Sequence, residues 1–192
     1  MKRYLYNYQT IVTFSQPTLR HSMILRCQPL SNTFQTIESE HLLLPPYYWL
    51  RYSTDAFGNR IVFGGATRPV STFAYVSTGI VASQEYREKV GSENIYLFTQ
   101  PSQLTAFTPE MQNMAHVTDI GNTFDKAAHI CQMVHNMLKY NTNCTTVETP
   151  ASDIFSSKRG VCQDFAHLMI ALCRSQKIAA RYVCGFLKGT GE

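Results

Sequence analysis

An α+β fold in two parts is predicted, an antiparallel β-sandwich followed by a mainly helical α+β domain, because the spacing of the apolar residues changes along the chain. Over residues 4–83 short aromatic and β-branched runs alternate with turn residues, whereas from about residue 108 apolar side chains recur at spacings of three and four. The length of 192 residues and the 44% hydrophobic content supply a proper core and exclude a disordered chain. The two parts are placed at residues 1–100 and 101–192, with the junction between Ser83 and Gln103.

Six strands are expected in the first part: "YLYNYQTIVTF", "HSMILRCQPL", "FQTIESEHLLL", "YYWLRYS", "NRIVFGG" and "STFAYVSTGIV". Between the fourth and fifth, "DAFGNR" is a hairpin signal. Gly58 and Asn59 tolerate the positive φ such a turn needs, and Asp55 is a turn residue there. In the second part Thr108, Pro109 and Glu110 open a helix towards Asp119 as N-cap, first-position proline and first-turn acid. Another begins near Asn122 or Thr123 and ends near Tyr140, with Ala127, Ile130, Cys131, Val134, Met137 and Leu138 along one stripe. "NTNCTTVETPASDIFSSKRG" is expected to be a long loop. The helix from about Cys162 to Ser175 buries Phe165, Leu168, Met169, Leu172 and Cys173, "IAARYVCGFLKG" follows as a strand, and Gly189 and Gly191 form a turn.

Composition removes several classes of function. The net charge of +4 arises from 17 basic and 13 acidic residues, a mild balance without the dense basic stripe of a nucleic-acid binder. No apolar run approaches the roughly 18 residues of a membrane helix, and Asn7, Gln9 and Thr10 interrupt the N-terminal segment, so neither a membrane partner nor a secretory signal is expected. The six cysteines, Cys27, Cys131, Cys144, Cys162, Cys173 and Cys184, are scattered as free thiols would be in a reducing cytoplasm, where the sequon at Asn143 carries no weight. Cys131 and His135 share a helical face, but a second close pair is missing, so packing is their reading and no metal is expected. Gly64–Gly65 and "GTGE" lack the strand-to-helix context and lysine of a phosphate loop, and no cofactor is implied.

Cys162 is the candidate nucleophile. A cysteine in the first turn of a helix meets unsatisfied N–H groups and the positive end of the macrodipole, both of which favour thiolate over thiol and can hold an oxyanion. Gly160 is read as a turn that a residue with a Cβ makes only with difficulty, and Lys158 and Arg159 as nearby positive charge. Buried packing is the competing reading of any lone cysteine.

The stretch "GVCQDFAHLMIALCRSQKIAARYVCGF" resembles the core motif of the transglutaminase-like superfamily of papain-type cysteine enzymes. "ASDIFSSKRG" is similar to that family's lead-in, and the β-rich half with "DAFGN" to the N-terminal region of bacterial transglutaminase-like proteins. The resemblance implies a papain-like catalytic domain in residues 101–192, with Cys162 attacking an amide carbonyl of a protein or peptide to give a thioester. It implies peptide hydrolysis first and glutamine transamidation or deamidation second. A non-catalytic binding or scaffold module of the same fold is the alternative from a different class.

The family completes its site with a histidine and an aspartate on following strands, and both are expected beyond residue 192, the chain being read as a fragment that is inactive alone. His167 lies five residues after Cys162, which on a helix turns it roughly 140° away and about 7.5 Å along the axis, unsuited to a base. His116, His129 and His135 have no spacing that brings them to Cys162. A strand ending near Leu187 without its neighbours presents an edge open to another chain, so a homo-oligomer is among the expected assemblies.

Overall fold

The computed structural model describes residues 1–85, 95–116 and 121–186. The chain divides into two compact units, Met1–Lys89 with Gly185–Glu192, and Val90–Cys184.

The first unit carries six strands: β1 (Lys2–Thr18), β2 (Ser22–Leu25), β3 (Gln35–Leu43), β4 (Tyr48–Thr54), β5 (Arg60–Ala66) and β6 (Val70–Ser83). They pair into two three-stranded antiparallel sheets, ordered β1-β6-β3 and β2-β5-β4. Met23 and Leu25 from β2, Tyr48 from β4 and Val62 from β5 meet Val70, Phe73 and Tyr75 from β6 in one buried cluster, so the two sheets pack face to face as the predicted sandwich. The hairpin between β4 and β5 forms where the sequence places it. Gly58 alone takes the positive φ, at 78°, and Asp55 accepts hydrogen bonds from the N–H groups of Phe57 and Asn59. Those bonds, led by the one from the Asn59 side chain, hold the Asp55 carboxyl down to about 2.

The second unit is built around one helix. Its elements are α1 (Ile95–Thr99), a 3-10 turn (Gln103–Thr105), α2 (Pro109–Met114), α3 (Thr123–Met137), β7 (Lys139–Tyr140), α4 (Ala151–Ser157), β8 (Arg159–Gly160) and α5 (Cys162–Ser175). Helix α5 starts and ends at the residues the sequence predicts, and α1, α2, α3 and α4 all pack against it. Its Leu168, Ala171 and Leu172 are fully buried with Met111, Ile130 and Ile154 from α2, α3 and α4. Each buried leucine of that kind contributes about 1.5–3 kcal/mol. At the far end Arg174 fastens the helix, donating to the carbonyls of Phe98 and Ala180 and to the Thr105 hydroxyl.

Five expectations are corrected here. Helix α2 ends at Met114, and the remainder of the stretch predicted towards Asp119 lies partly outside the described residues. Helix α3 stops at Met137 because Lys139 and Tyr140 turn extended to pair, in parallel, with Arg159 and Gly160; Cys131, placed on its buried stripe, is exposed. The supposed loop over 141–160 contains α4, whose Ala151, Ile154 and Phe155 are buried at the three-and-four spacing that a serine-rich composition conceals. Residues 178–186, expected as a strand, form none, since no described strand offers the partner their backbone needs. Arg181 lies over the Phe98 ring instead, and Phe186, itself part of the first unit, packs on Tyr6 and Tyr8 there. The turn expected at Gly189 and Gly191 lies outside the described residues. Among the described residues no helix is long and apolar enough to cross a membrane.

Candidate active site

The segment from Lys158 to Asp164 converts a strand pair into a helix over a few residues. Lys158 closes α4 in the left-handed conformation, with φ 56°, and its carbonyl accepts from the Lys139 N–H at 2.9 Å. Gly160 is held in turn by the Asn141 N–H, which donates to its carbonyl at 3.0 Å. Val161 is then the extended N-cap residue and Cys162 the first residue of α5, with an exposed side chain.

Asp164 organises this start from below. It is fully buried, and its Oδ2 accepts from the Val161 N–H at 2.7 Å and from the Thr145 hydroxyl at 2.6 Å. The Thr145 bond ties the segment between β7 and α4 to the first turn of α5. It also explains Gly160, for which the turn reading is corrected: its φ is not in the left-handed region, but a Cβ there falls 2.5 Å from Asp164 Cβ and 2.6 Å from Oδ2. Close approach, not backbone freedom, requires the glycine.

The N–H groups of the first turn sort into two sets. The Val161 N–H goes to Asp164 Oδ2, and the Asp164 and Phe165 N–H groups go to the Val161 carbonyl at 2.9 and 3.2 Å. Those of Cys162 and Gln163 meet no acceptor among the described residues. Two donors therefore stand open beside the exposed thiol, at the positive end of a 14-residue helix.

The Lys158 ammonium is engaged by neighbours other than Cys162. It lies 3.5 Å from the centroid of the Phe155 ring and 3.1 Å from the Met137 sulfur, where burial lowers its affinity for the proton. His167 is buried, its ring 5.6 Å from that of Tyr182, and its Nδ1 has no hydrogen-bond partner among the described residues. Burial lowers its pKa, with the nearby Asp164 pulling the other way. No described hydrogen bond or ring contact joins a histidine to Cys162. Tyr182 comes within electrostatic reach of both Cys184 and Cys162; burial first, then those two thiols, raises its phenol. All six cysteines are free, and no cluster of three or more His, Cys, Asp or Glu side chains suited to a metal occurs among the described residues.

The sequence reading missed Val161, Asp164, Thr145 and Tyr182. An acid three residues after a candidate N-cap is half of a capping box and marks Asp164 as a helix-start residue. Thr145, 19 residues earlier, carries no such mark.

Comparison with known proteins agrees with this architecture. Residues 4–82 match the family model for the bacterial transglutaminase-like N-terminal region, and residues 112–192 that for the transglutaminase-like superfamily. An uncharacterized protein of Mycobacterium leprae is 28% identical over 176 residues, which make up 84% of this chain and 63% of the relative. An uncharacterized protein of Mycobacterium tuberculosis is 36% identical over 58 residues, 30% of this chain and 18% of its own. The chain thus spans under two thirds of the length of these curated relatives. The crystal structure of a "Putative Cysteine Protease" from Cytophaga hutchinsonii superposes with a TM-score of 0.74 at 25% identity, covering 92% of this chain and 66% of the other. With both of its parts matched, the chain belongs to the transglutaminase-like superfamily and carries that family's bacterial N-terminal region ahead of the core.

Proposed function

We propose that Cys162 is the nucleophile of a thiol-dependent acyl-transfer enzyme that hydrolyses protein or peptide amides. The observation that carries this reading is the exposed thiol at the first position of α5 beside the two open N–H groups of Cys162 and Gln163. In the first step the thiolate sulfur bonds to the amide carbonyl carbon, and the carbonyl oxygen takes the negative charge between the two donors. The C–N bond then breaks, the amine leaving with a proton from the general acid, and a thioester on Cys162 remains. Water adds to that thioester, gives its proton to the same group now acting as base, and releases the carboxylic acid and the free thiol. The acid–base group is read as a histidine, a role that His167, buried against Tyr182, does not fill. The Cytophaga structure's description as a cysteine protease favours water over an amine as acceptor.

The test is to mix full-length protein with an activated peptide ester, quench in acid within seconds, and map the adduct by mass spectrometry. A peptidyl group on Cys162 that hydroxylamine removes is the expected result. An absence of any adduct, or turnover that persists in Cys162→Ala, overturns the reading and leaves a binding module of the same fold.

A further inference from the structure

Two buried side-chain atoms near the start of α5 make no hydrogen bond. Asp164 is fully buried and His167 is 7% exposed, and neither Asp164 Oδ1 nor His167 Nδ1 has a partner among the described residues. The other carboxyl oxygen is fully engaged, since Oδ2 accepts from the Val161 N–H and from the Thr145 hydroxyl. A buried donor or acceptor left unpaired forfeits its hydration with nothing in return, and folded interiors seldom tolerate one. Here two such atoms belong to residues three apart on one helix.

Helix geometry brings them towards each other. Residues at this spacing are neighbours on one helical face, and side chains lean towards the N-terminus, so the His167 ring is carried back over the turn that holds Asp164. The Tyr182 ring, 5.6 Å from the imidazole, covers it. The chemistry of the two atoms then defines what joins them. A carboxylate oxygen only accepts, and an imidazole nitrogen that carries its hydrogen only donates. Burial keeps the imidazole neutral, against the weaker opposing pull of Asp164. No hydrogen bond joins the two atoms directly, and the smallest molecule that accepts from one and donates to the other is water.

We propose that Asp164 Oδ1 and His167 Nδ1 hold one ordered water between them, the imidazole donating to the water oxygen and the water donating to the carboxylate. His167 is thereby a positioning residue. Through the water it sets the plane of the Asp164 carboxyl and keeps Oδ2 on the Val161 N–H and the Thr145 hydroxyl, where the segment after β7 meets the start of α5. The same bond fixes the imidazole as the tautomer with its hydrogen on Nδ1, leaving Nε2 bare. None of this depends on the reading of Cys162 as a nucleophile.

The experiment is nitrogen NMR of isotope-labelled full-length protein at neutral pH. It reads the His167 tautomer in the wild type, and the exchange of the Val161 amide relative to that of Leu172, deep in α5, in wild type, His167→Asn, His167→Gln and His167→Leu. An asparagine amide nitrogen stands where Nδ1 stood, and a glutamine amide nitrogen where Nε2 stood. The expected results are a neutral imidazole with its hydrogen on Nδ1, Val161 exchange about tenfold faster in His167→Gln and His167→Leu, and exchange close to wild type in His167→Asn. A ring that serves only as packing gives the reverse order, with leucine the mildest change. A hydrogen on Nε2 alone, an imidazolium, or equal Val161 exchange in the asparagine and glutamine variants overturns the proposal. Should the variants not fold, the wild-type tautomer and a crystal structure of the full-length protein decide it: density for a water within hydrogen-bonding distance of both atoms is expected, and a direct Nδ1–Oδ1 bond removes the water.

Discussion

Helices α3 and α5 are nearly equal in length and start in opposite ways. At α3 the Asn122 side chain accepts from the Asp125 N–H at 3.0 Å, and the Asp125 carboxyl in turn accepts from the Asn122 amide. At α5 the N-cap is a valine, and the cysteine that follows it is exposed. Even the six-residue α2 has its cap, with Thr108 accepting from Met111 N–H at 3.2 Å. The difference teaches that α5 is held at its start by its third residue reaching back to the Val161 N–H, whereas α3 is held by an N-cap side chain reaching forward. Helix α4 likewise opens on a residue that cannot cap, Pro150, and holds its place through buried Ala151, Ile154 and Phe155.

Replacing the thiol breaks the comparison most severely. Cys162→Ala is expected to reduce peptide or ester turnover on the order of 10³-fold or more, while an unchanged denaturant midpoint shows the side chain to be dispensable for folding. Gly160→Ala attacks the same start sterically. The added Cβ must displace Asp164, so a loss of about 1–3 kcal/mol is expected in chemical denaturation, with slower Cys162 alkylation. The control at the closed start is Asn122→Ala, expected to cost about 1 kcal/mol and to leave Cys162 reactivity untouched. A change in Cys162 alkylation in that variant removes the distinction between the two helix starts.

How far the sequence foretold these two starts depends on how local their causes are. The ends of α5 and the cap of α3 follow from residues within one turn: Gly160 before Cys162, and Asn122 before an apolar stripe. Helix α4 was hidden because its buried Ala151, Ile154 and Phe155 are interspersed with serines that usually mark loops. Residues 178–186 have strand composition, yet a strand exists only through a partner, and composition does not report one. The fastening of Asp164 to Thr145, and the reason for Gly160, arise where separate segments touch, so neither is written in any single stretch.

Acid provides a gentler probe of the same helix. His167 is buried with its pKa lowered, so the unfolded chain takes up the proton first as pH falls. Its contribution is whole above the unfolded value of about 6.5 and is lost as pH drops through the depressed native value. Unfolding midpoints of the wild type should therefore decline more between pH 7 and 5 than those of His167→Gln, and parallel declines contradict this origin. The Asp55 hairpin responds later, loosening only as pH falls from the ordinary carboxyl range towards about 2. Asp55→Asn should flatten that late step alone.

The central claim is that position at an open helix start, and not exposure, makes Cys162 reactive. Cys131 supplies the internal control, since it is also exposed but lies in the middle of α3, away from any helix end. Buried Cys173, its thiol pushed up to about 11, sets the floor. The decisive measurement is the native-state iodoacetamide labelling rate of each cysteine in one sample of full-length protein, read by peptide mass spectrometry at neutral pH. The account predicts that Cys162 is labelled at least about fivefold faster than Cys131, with Cys173 protected until unfolding. Equal rates at Cys162 and Cys131 contradict it.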